Sequence, residues 1–265
     1  MPTLPFTQVD AFTVGGAALT GNPAAVMPLE GDWFDDATLL AIAVENNLSE
    51  TAFTLPCADD DADYDLRWFT PGCEVAMCGH ATLASAHVLI GEADRIRFRT
   101  RKAGIITVTR DGNRLVLDMP FATASKDPRA AQALAAVGSG GEAHFYAGVE
   151  PIVIIPLADE AAVRACTPDF GVLKTVEALV IVTAPGNRTD FASRVFAGAY
   201  GIDEDPVTGA AHMGLAPYWA DRLGKQRMSA HQASTRGGDL SCAITGDRLH
   251  LGGEARTVIR GKFSF

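Results

Sequence analysis

Arg67-Trp68-Phe69-Thr70-Pro71, followed by Met77-Cys78-Gly79-His80-Ala81-Thr82-Leu83, decides the fold, because the chain runs through the same pattern again. The second copy reads Arg194-Val195-Phe196-Ala197-Gly198, then Asp205-Pro206-Val207-Thr208-Gly209-Ala210-Ala211-His212. Each copy passes from an Arg-x-Phe strand, through a loop, to a glycine that opens a helix of small residues. The repeat predicts a duplicated fold with a cleft between its halves. Two helix N-termini facing one ligand would make an anion site, since their first N–H groups lack intrahelical acceptors and the helix dipole favours negative charge there.

Residues 79–90 read as a helix with almost no charged face (Ala81, Leu83, Ala84, Ala86, Val88, Leu89 and Ile90). A helix that is apolar all round is buried, so a curved sheet is expected to wrap it. Before it, Asp35-Asp36 can cap a helix whose apolar face holds Leu39, Leu40, Ala43 and Leu48, and Asn46-Asn47 suits its end. Short alternating or apolar runs at 6–12, 51–55, 66–69, 96–99, 105–109 and 115–117 read as strands, with a hairpin turn at Gly112-Asn113. A boundary falls near Met119-Pro120. Beyond it the order repeats: strands within 145–157, a helix near 160–166, a strand at 179–183, and a second buried helix. That helix is expected to start at Thr208 as N-cap, to bend at Pro217 and to end at Gly224. Two similar α+β halves fit this order better than a doubly wound parallel sheet. The sequence contains neither a G-x-G-x-x-G motif nor a P-loop.

The formal net charge of -10 argues against nucleic acid or an anionic membrane as partner. No apolar run approaches the ~18 residues of a membrane span. Met1-Pro2-Thr3-Leu4-Pro5 lacks the basic and apolar regions of a secretory signal. The five cysteines are scattered and odd in number, which predicts reduced thiols and a cytoplasmic location.

Several residues could carry chemistry. Glu45 sits in the last turn of its helix, an unfavourable place for a carboxylate's charge, as a proton shuttle requires. Read alone, the residue is better explained as a solvated surface glutamate at a helix end. His80, after Gly79, could donate to a bound anion, or be a buried structural histidine. Asp205, ahead of the other helix, could act on substrate or merely pair with the dipole. Gly79 and Gly209 allow close backbone approach, or tight packing. Cys78 could be an acid/base thiol, although a free cysteine is more often inert core. Cys73, Cys78, His80 and His87 do not match a familiar zinc spacing, so no metal is expected.

Together these motifs resemble the PhzF-like family, the phenazine-biosynthesis isomerase and its relatives. The resemblance is carried by residues 9–13 (Val9-Asp10-Ala11-Phe12-Thr13), Gly21-Asn22-Pro23-Ala24-Ala25-Val26, and Glu45-Asn46-Asn47-Leu48-Ser49-Glu50-Thr51-Ala52-Phe53. It continues in Leu66-Arg67-Trp68-Phe69-Thr70-Pro71, Cys78-Gly79-His80-Ala81-Thr82 and Glu204-Asp205-Pro206-Val207-Thr208-Gly209. The resemblance implies a diaminopimelate epimerase-like α+β fold of two pseudo-symmetric halves. Each is a curved, mostly antiparallel sheet or barrel around a central buried helix, with the site between them. The halves would be residues 1–119 and 120–256, with 257–265 a strand able to return to the first. It further implies proton transfer without a cofactor, a homodimer, and a small carboxylate substrate. In the family's phenazine enzyme that substrate is dihydro-hydroxyanthranilate. Glu45 matches the family's acid/base glutamate on this reading, and His80 and Asp205 its other polar site residues. Gly79, Thr208, Gly209 and Ala210 would hold substrate. Where the family usually has Ser after Thr-Gly, this chain has Ala210. Fold-related racemases and epimerases use two facing thiols. Here a Cys78/Asp205 pair is the corresponding alternative, and a non-catalytic metabolite-binding protein is the third.

Overall fold

A computed structural model describes residues 2–59 and 61–265. The chain divides into two compact units, residues 1–118 with 252–265, and residues 119–251. The return to the first unit therefore begins at Gly252, five residues before the expected strand, because the last strand, Ala255–Ser264, pairs along the whole of Thr3–Ala11.

In the first unit Thr3–Ala11 also pairs antiparallel with Asn22–Pro28. Asn22–Pro28 runs parallel to Glu50–Pro56, and the helix Asp36–Asn46 makes the connection. Glu50–Pro56 then pairs antiparallel with Tyr64–Phe69. Tyr64–Phe69 adds Glu74–Val75 antiparallel and Arg95–Thr100 parallel, and Ile105–Asp111 and Arg114–Pro120 follow as a hairpin. The helix Asp36–Asn46 starts where its cap predicts: the Asp35 carboxylate accepts from the Thr38 N–H at 2.8 Å. It stops at Asn47, which takes the left-handed conformation (φ 47°). The helix Gly79–Leu89 is buried continuously from Gly79 to Ala86 and packs on the strands of this sheet. Its lack of a polar face in sequence is thus matched by a lack of a wet face in structure.

The second unit repeats the scheme. Thr123–Ser125, His144–Ala147 and Ile152–Pro156 pair antiparallel, and Ile152–Pro156 runs parallel to Leu179–Pro185. Leu179–Pro185 pairs antiparallel with Phe191–Ala197, which takes Ile202–Asp205 antiparallel and Arg227–Gln232 parallel. Gly238–Thr245 pairs antiparallel with Arg227–Gln232. The central helix, His212–Leu223, has Ala211 as its N-cap and so begins three residues later than expected. Residues 209–214 instead make a tight turn of three-residue hydrogen bonds, and the Thr208 hydroxyl donates to Asp205 rather than capping the helix.

Strand register makes the duplication exact enough to name equivalent residues. Ala24 faces Glu50 and Ile152 faces Leu179; Thr51 faces Phe69 and Val180 faces Phe196; Trp68 faces Val75 and Val195 faces Asp205. Side chains repeat as well. Arg67 grips Glu74 through Nε and Nη2 (2.7 and 2.8 Å) and lies over the Phe69 ring at 4.9 Å. Arg194 grips Glu204 in the same way (2.7 and 2.8 Å) and lies over Phe196 at 5.1 Å. These bidentate, ring-backed pairs fix the strand from which each loop departs toward its helix.

Candidate active site

In the first unit, Glu50, Cys78 and His80 meet. Glu50 opens the strand Glu50–Pro56 and is only 9% exposed. The loop before it is tied down, since Asn46 Nδ2 donates to Thr51 Oγ1 at 3.0 Å. Cys78 stands extended just before the helix Gly79–Leu89, and its carbonyl accepts from both the N–H and the hydroxyl of Thr82 (3.1 and 2.6 Å). His80, the second residue of that helix, is 3% exposed. Its Nε2 lies 2.9 Å from Glu50 Oε2, and that buried oxygen has no further hydrogen-bond partner among the described residues. Cys78 Sγ lies 3.5 Å from His80 Nδ1 and 4.0 Å from Nε2.

Asn22 and Ser49 set the far side of the imidazole. Ser49 Oγ donates to Asn22 Oδ1 at 2.9 Å, which leaves Asn22 Nδ2 to face His80 Nδ1 at 3.2 Å. That amide donor fits a neutral ring carrying its proton on Nε2, toward Glu50. Turning the amide over, with the Ser49 hydroxyl reversed, would satisfy the imidazolium equally. Burial pulls the His80 pKa down, but Cys78 and Glu50 outweigh it and hold it well above its ordinary value. Burial, helped by the Glu50 charge, pushes the Cys78 thiol to about 11, so the thiol is protonated near neutral pH and Glu50 is the lasting cause of the His80 shift.

In the second unit, Asp205 ends the strand Ile202–Asp205 and is 8% exposed. Its Oδ2 accepts from Thr208 Oγ1 at 2.5 Å. Gln232 locks this corner. Its Nε2 donates to the Asp205 carbonyl (2.8 Å) and reaches Thr208 Oγ1 (3.2 Å), and its Oε1 accepts from the Thr208 N–H (2.8 Å). His212 donates from Nδ1 to the Thr208 carbonyl at 2.9 Å. Its Nε2 is buried with no hydrogen-bond partner among the described residues, and burial drives its pKa to about 4.

His80 and Gly79 thus stand beside the first-unit carboxylate, and Asp205, Thr208, Gly209 and Ala210 gather in the second unit. Glu45 joins neither group. It is exposed in the last turn of Asp36–Asn46, and the carboxylate beside His80 is Glu50, five residues on. Sequence reasoning passed over Glu50 although it lies in the same motif. The available signal was a lone acid at the head of an apolar strand, where burial is forced. It also gave no role to Asn22, Ser49 or Gln232. Cys73 is exposed and His87 bonds Thr257 Oγ1 at 3.1 Å, so neither joins Cys78 and His80.

The sequence model for PhzC-PhzF, the phenazine biosynthesis-like proteins, matches residues 9–262. A Pseudomonas aeruginosa protein named as an uncharacterised isomerase is 44% identical, over 98% of both chains. The crystal structure of a PhzF-family phenazine biosynthesis protein from Enterococcus faecalis superimposes with a TM-score of 0.87, at 40% identity over 100% of each chain. A predicted epimerase of Pseudomonas aeruginosa, 22% identical over 98% of this chain and 99% of its own, matches with a TM-score of 0.77 and shares the fold. The chain belongs to the phenazine biosynthesis-like PhzC-PhzF family and is an isomerase.

Proposed function

We propose that this isomerase moves a proton on a small amino- or hydroxy-carboxylate, with Glu50 as the acid/base. The observation that carries the proposal is a buried carboxylate held 2.9 Å from a buried imidazole at a helix N-terminus. The Glu50 carboxylate removes a proton from a carbon beside a carbonyl or conjugated system, and the resulting Glu50 carboxyl returns it to another carbon, so the double bond shifts and no atoms are gained or lost. His80, 2.9 Å away, holds the carboxylate in place. The first N–H groups of the helix at Gly79 and His80 are suited to the substrate's carboxylate. In the second unit, Asp205, oriented by Thr208 and Gln232, is proposed as a further polar site residue, with Gly209 and Ala210 offering backbone contacts. A positioned acid/base of this kind contributes about 10²–10⁴-fold in rate.

A two-base racemase using Cys78 would need a thiol that ionises readily, and burial works against that here. Hydrogen exchange separates the readings. Proton transfer through Glu50 predicts deuterium incorporation that Glu50→Gln abolishes and Cys78→Ser retains; the racemase predicts the reverse. Binding of metabolites with no exchange in any variant would point to a non-catalytic role. We further propose a cytoplasmic homodimer. All five cysteines are free, and among the described residues no helix is long and apolar enough to cross a membrane. Light scattering of the purified chain tests the dimer.

A further inference from the structure

Glu50, Cys78 and His80 offer a carboxylate oxygen, a thiol sulfur and an imidazole nitrogen that all lie within 4.8 Å of one another. Among the described residues no other group of three or more histidine, cysteine or acidic side chains comes together in this way. We infer that this trio is a capture site for a thiophilic divalent cation of the zinc type, and that occupancy shuts the isomerase off. The binding claim stands on the geometry alone; the inhibitory consequence rests on the proton-transfer reading above.

Three observations carry it. First, the donor set is mixed sulfur, nitrogen and oxygen, which suits zinc and cobalt better than calcium or magnesium. Second, the spacing is close to what a tetrahedral ion needs. Zinc bond lengths of about 2.0–2.3 Å place neighbouring ligand atoms about 3.4–3.6 Å apart. The observed separations are 2.9 Å for Nε2 to Oε2 and 4.0 Å for Sγ to Nε2, with Sγ and the carboxylate oxygen within 4.8 Å, so adjustments of about 0.5–1.2 Å close the set. Third, Glu50 Oε2 is buried with unused acceptor capacity, and a cation would satisfy it. The outer shell is also in place. A histidine that binds metal through Nε2 must carry its proton on Nδ1 and donate it, and Asn22 Oδ1 provides the acceptor once its amide turns over against Ser49.

The proton balance follows from the ligands. Capture displaces the thiol proton of Cys78 to solvent, and a second proton if His80 is an imidazolium. Binding therefore tightens as pH rises. Glu50, bonded to the ion through one oxygen, shares its charge with the cation and so becomes a weaker base toward substrate.

The test titrates chelator-treated wild-type protein with cobalt(II) chloride and follows absorbance. One equivalent per chain should bind and produce a thiolate-to-cobalt charge-transfer band in the near ultraviolet, and zinc chloride should bleach it. Cys78→Ser should lose the band, and Glu50→Gln should weaken binding at least tenfold. No band in wild-type protein would overturn the site, as would a band that persists in Cys78→Ser and so reports another cysteine. If cobalt binds as expected while zinc leaves hydrogen exchange intact, the site stands and the inhibitory claim fails.

Discussion

The two units share a frame but not a chemistry. Register and spacing pair Glu50 with Leu179, Val75 with Asp205, Cys78 with Thr208, Gly79 with Gly209, His80 with Ala210 and Thr82 with His212. What both units keep is mechanical. The Arg67–Glu74 and Arg194–Glu204 pairs anchor equivalent strands, and Thr82 and His212 each bond back to the carbonyl four residues earlier. What differs is the reactive set. The first unit places an acid and a base where the second has leucine and alanine, and the second places its acid where the first has valine. A duplicated frame thus supplies two positioned helix starts, and the proposed proton chemistry belongs to the one whose matched positions hold Glu50 and His80.

The largest expected loss of activity is at Glu50. Glu50→Gln keeps the shape and removes the proton-accepting charge, so turnover should fall about 10²–10⁴-fold, whereas Glu45→Gln, on the exposed helix end, should stay within about twofold. Steady-state rates on any substrate that shows exchange decide between the two glutamates. Next come the anchors. Arg67 is 3% exposed and Arg194 13% exposed by side chain. Truncating Arg67 to Ala leaves the half-buried Glu74 with only the exposed Arg101, 3.1 Å away, as its cation, and should cost up to about 3 kcal/mol in a denaturant midpoint measurement. Arg194→Ala also strips donors from three backbone carbonyls, those of Val163, Arg164 and Cys166, and should cost a similar amount.

The buried histidines should respond to pH with opposite sign. His212 is driven from its ordinary 6.5 to about 4, so between those values the unfolded chain binds a proton that the native chain refuses. Its stability contribution is complete above 6.5 and falls away toward pH 4, by about 3 kcal/mol in total. His212→Asn should flatten the stability curve in that window. His80, with its pKa raised, contributes most below 6.5 and loses its contribution as pH climbs through its elevated folded value. A pH series of denaturation midpoints for wild type and His212→Asn checks the first sign directly. The smallest effect is at Ala210. Ala210→Ser adds one hydroxyl at the second helix start and should shift KM by about fivefold, the worth of one neutral hydrogen bond of about 1 kcal/mol.

Legibility in the sequence followed the range of the interactions. The helix Gly79–Leu89 could be read because its burial is written in every residue, and Asp35 and Asn47 mark the ends of Asp36–Asn46 through bonds spanning three or four residues. The start of His212–Leu223 was misplaced because Thr208 has the chemistry of a cap but spends its hydroxyl on Asp205. Glu45 and Glu50 share one motif, and helix position favours Glu45. Only the left-handed turn at Asn47 and the parallel pairing with Asn22–Pro28 bury Glu50 instead. Asn22 reaches His80 across 58 positions and Gln232 reaches Thr208 across 24. No local pattern announces such partners, since an isolated asparagine or glutamine looks like any surface amide.

The most direct measurement is hydrogen exchange by NMR in D2O, with wild type, Glu50→Gln and Glu45→Gln each incubated with dihydro-hydroxyanthranilate and a panel of cyclic and linear amino acids. Deuterium incorporation or a shifted double bond with wild type and Glu45→Gln, and neither with Glu50→Gln, is the predicted result. Exchange that survives in Glu50→Gln, or that disappears in Glu45→Gln, would contradict the assignment of proton transfer to the buried carboxylate beside His80.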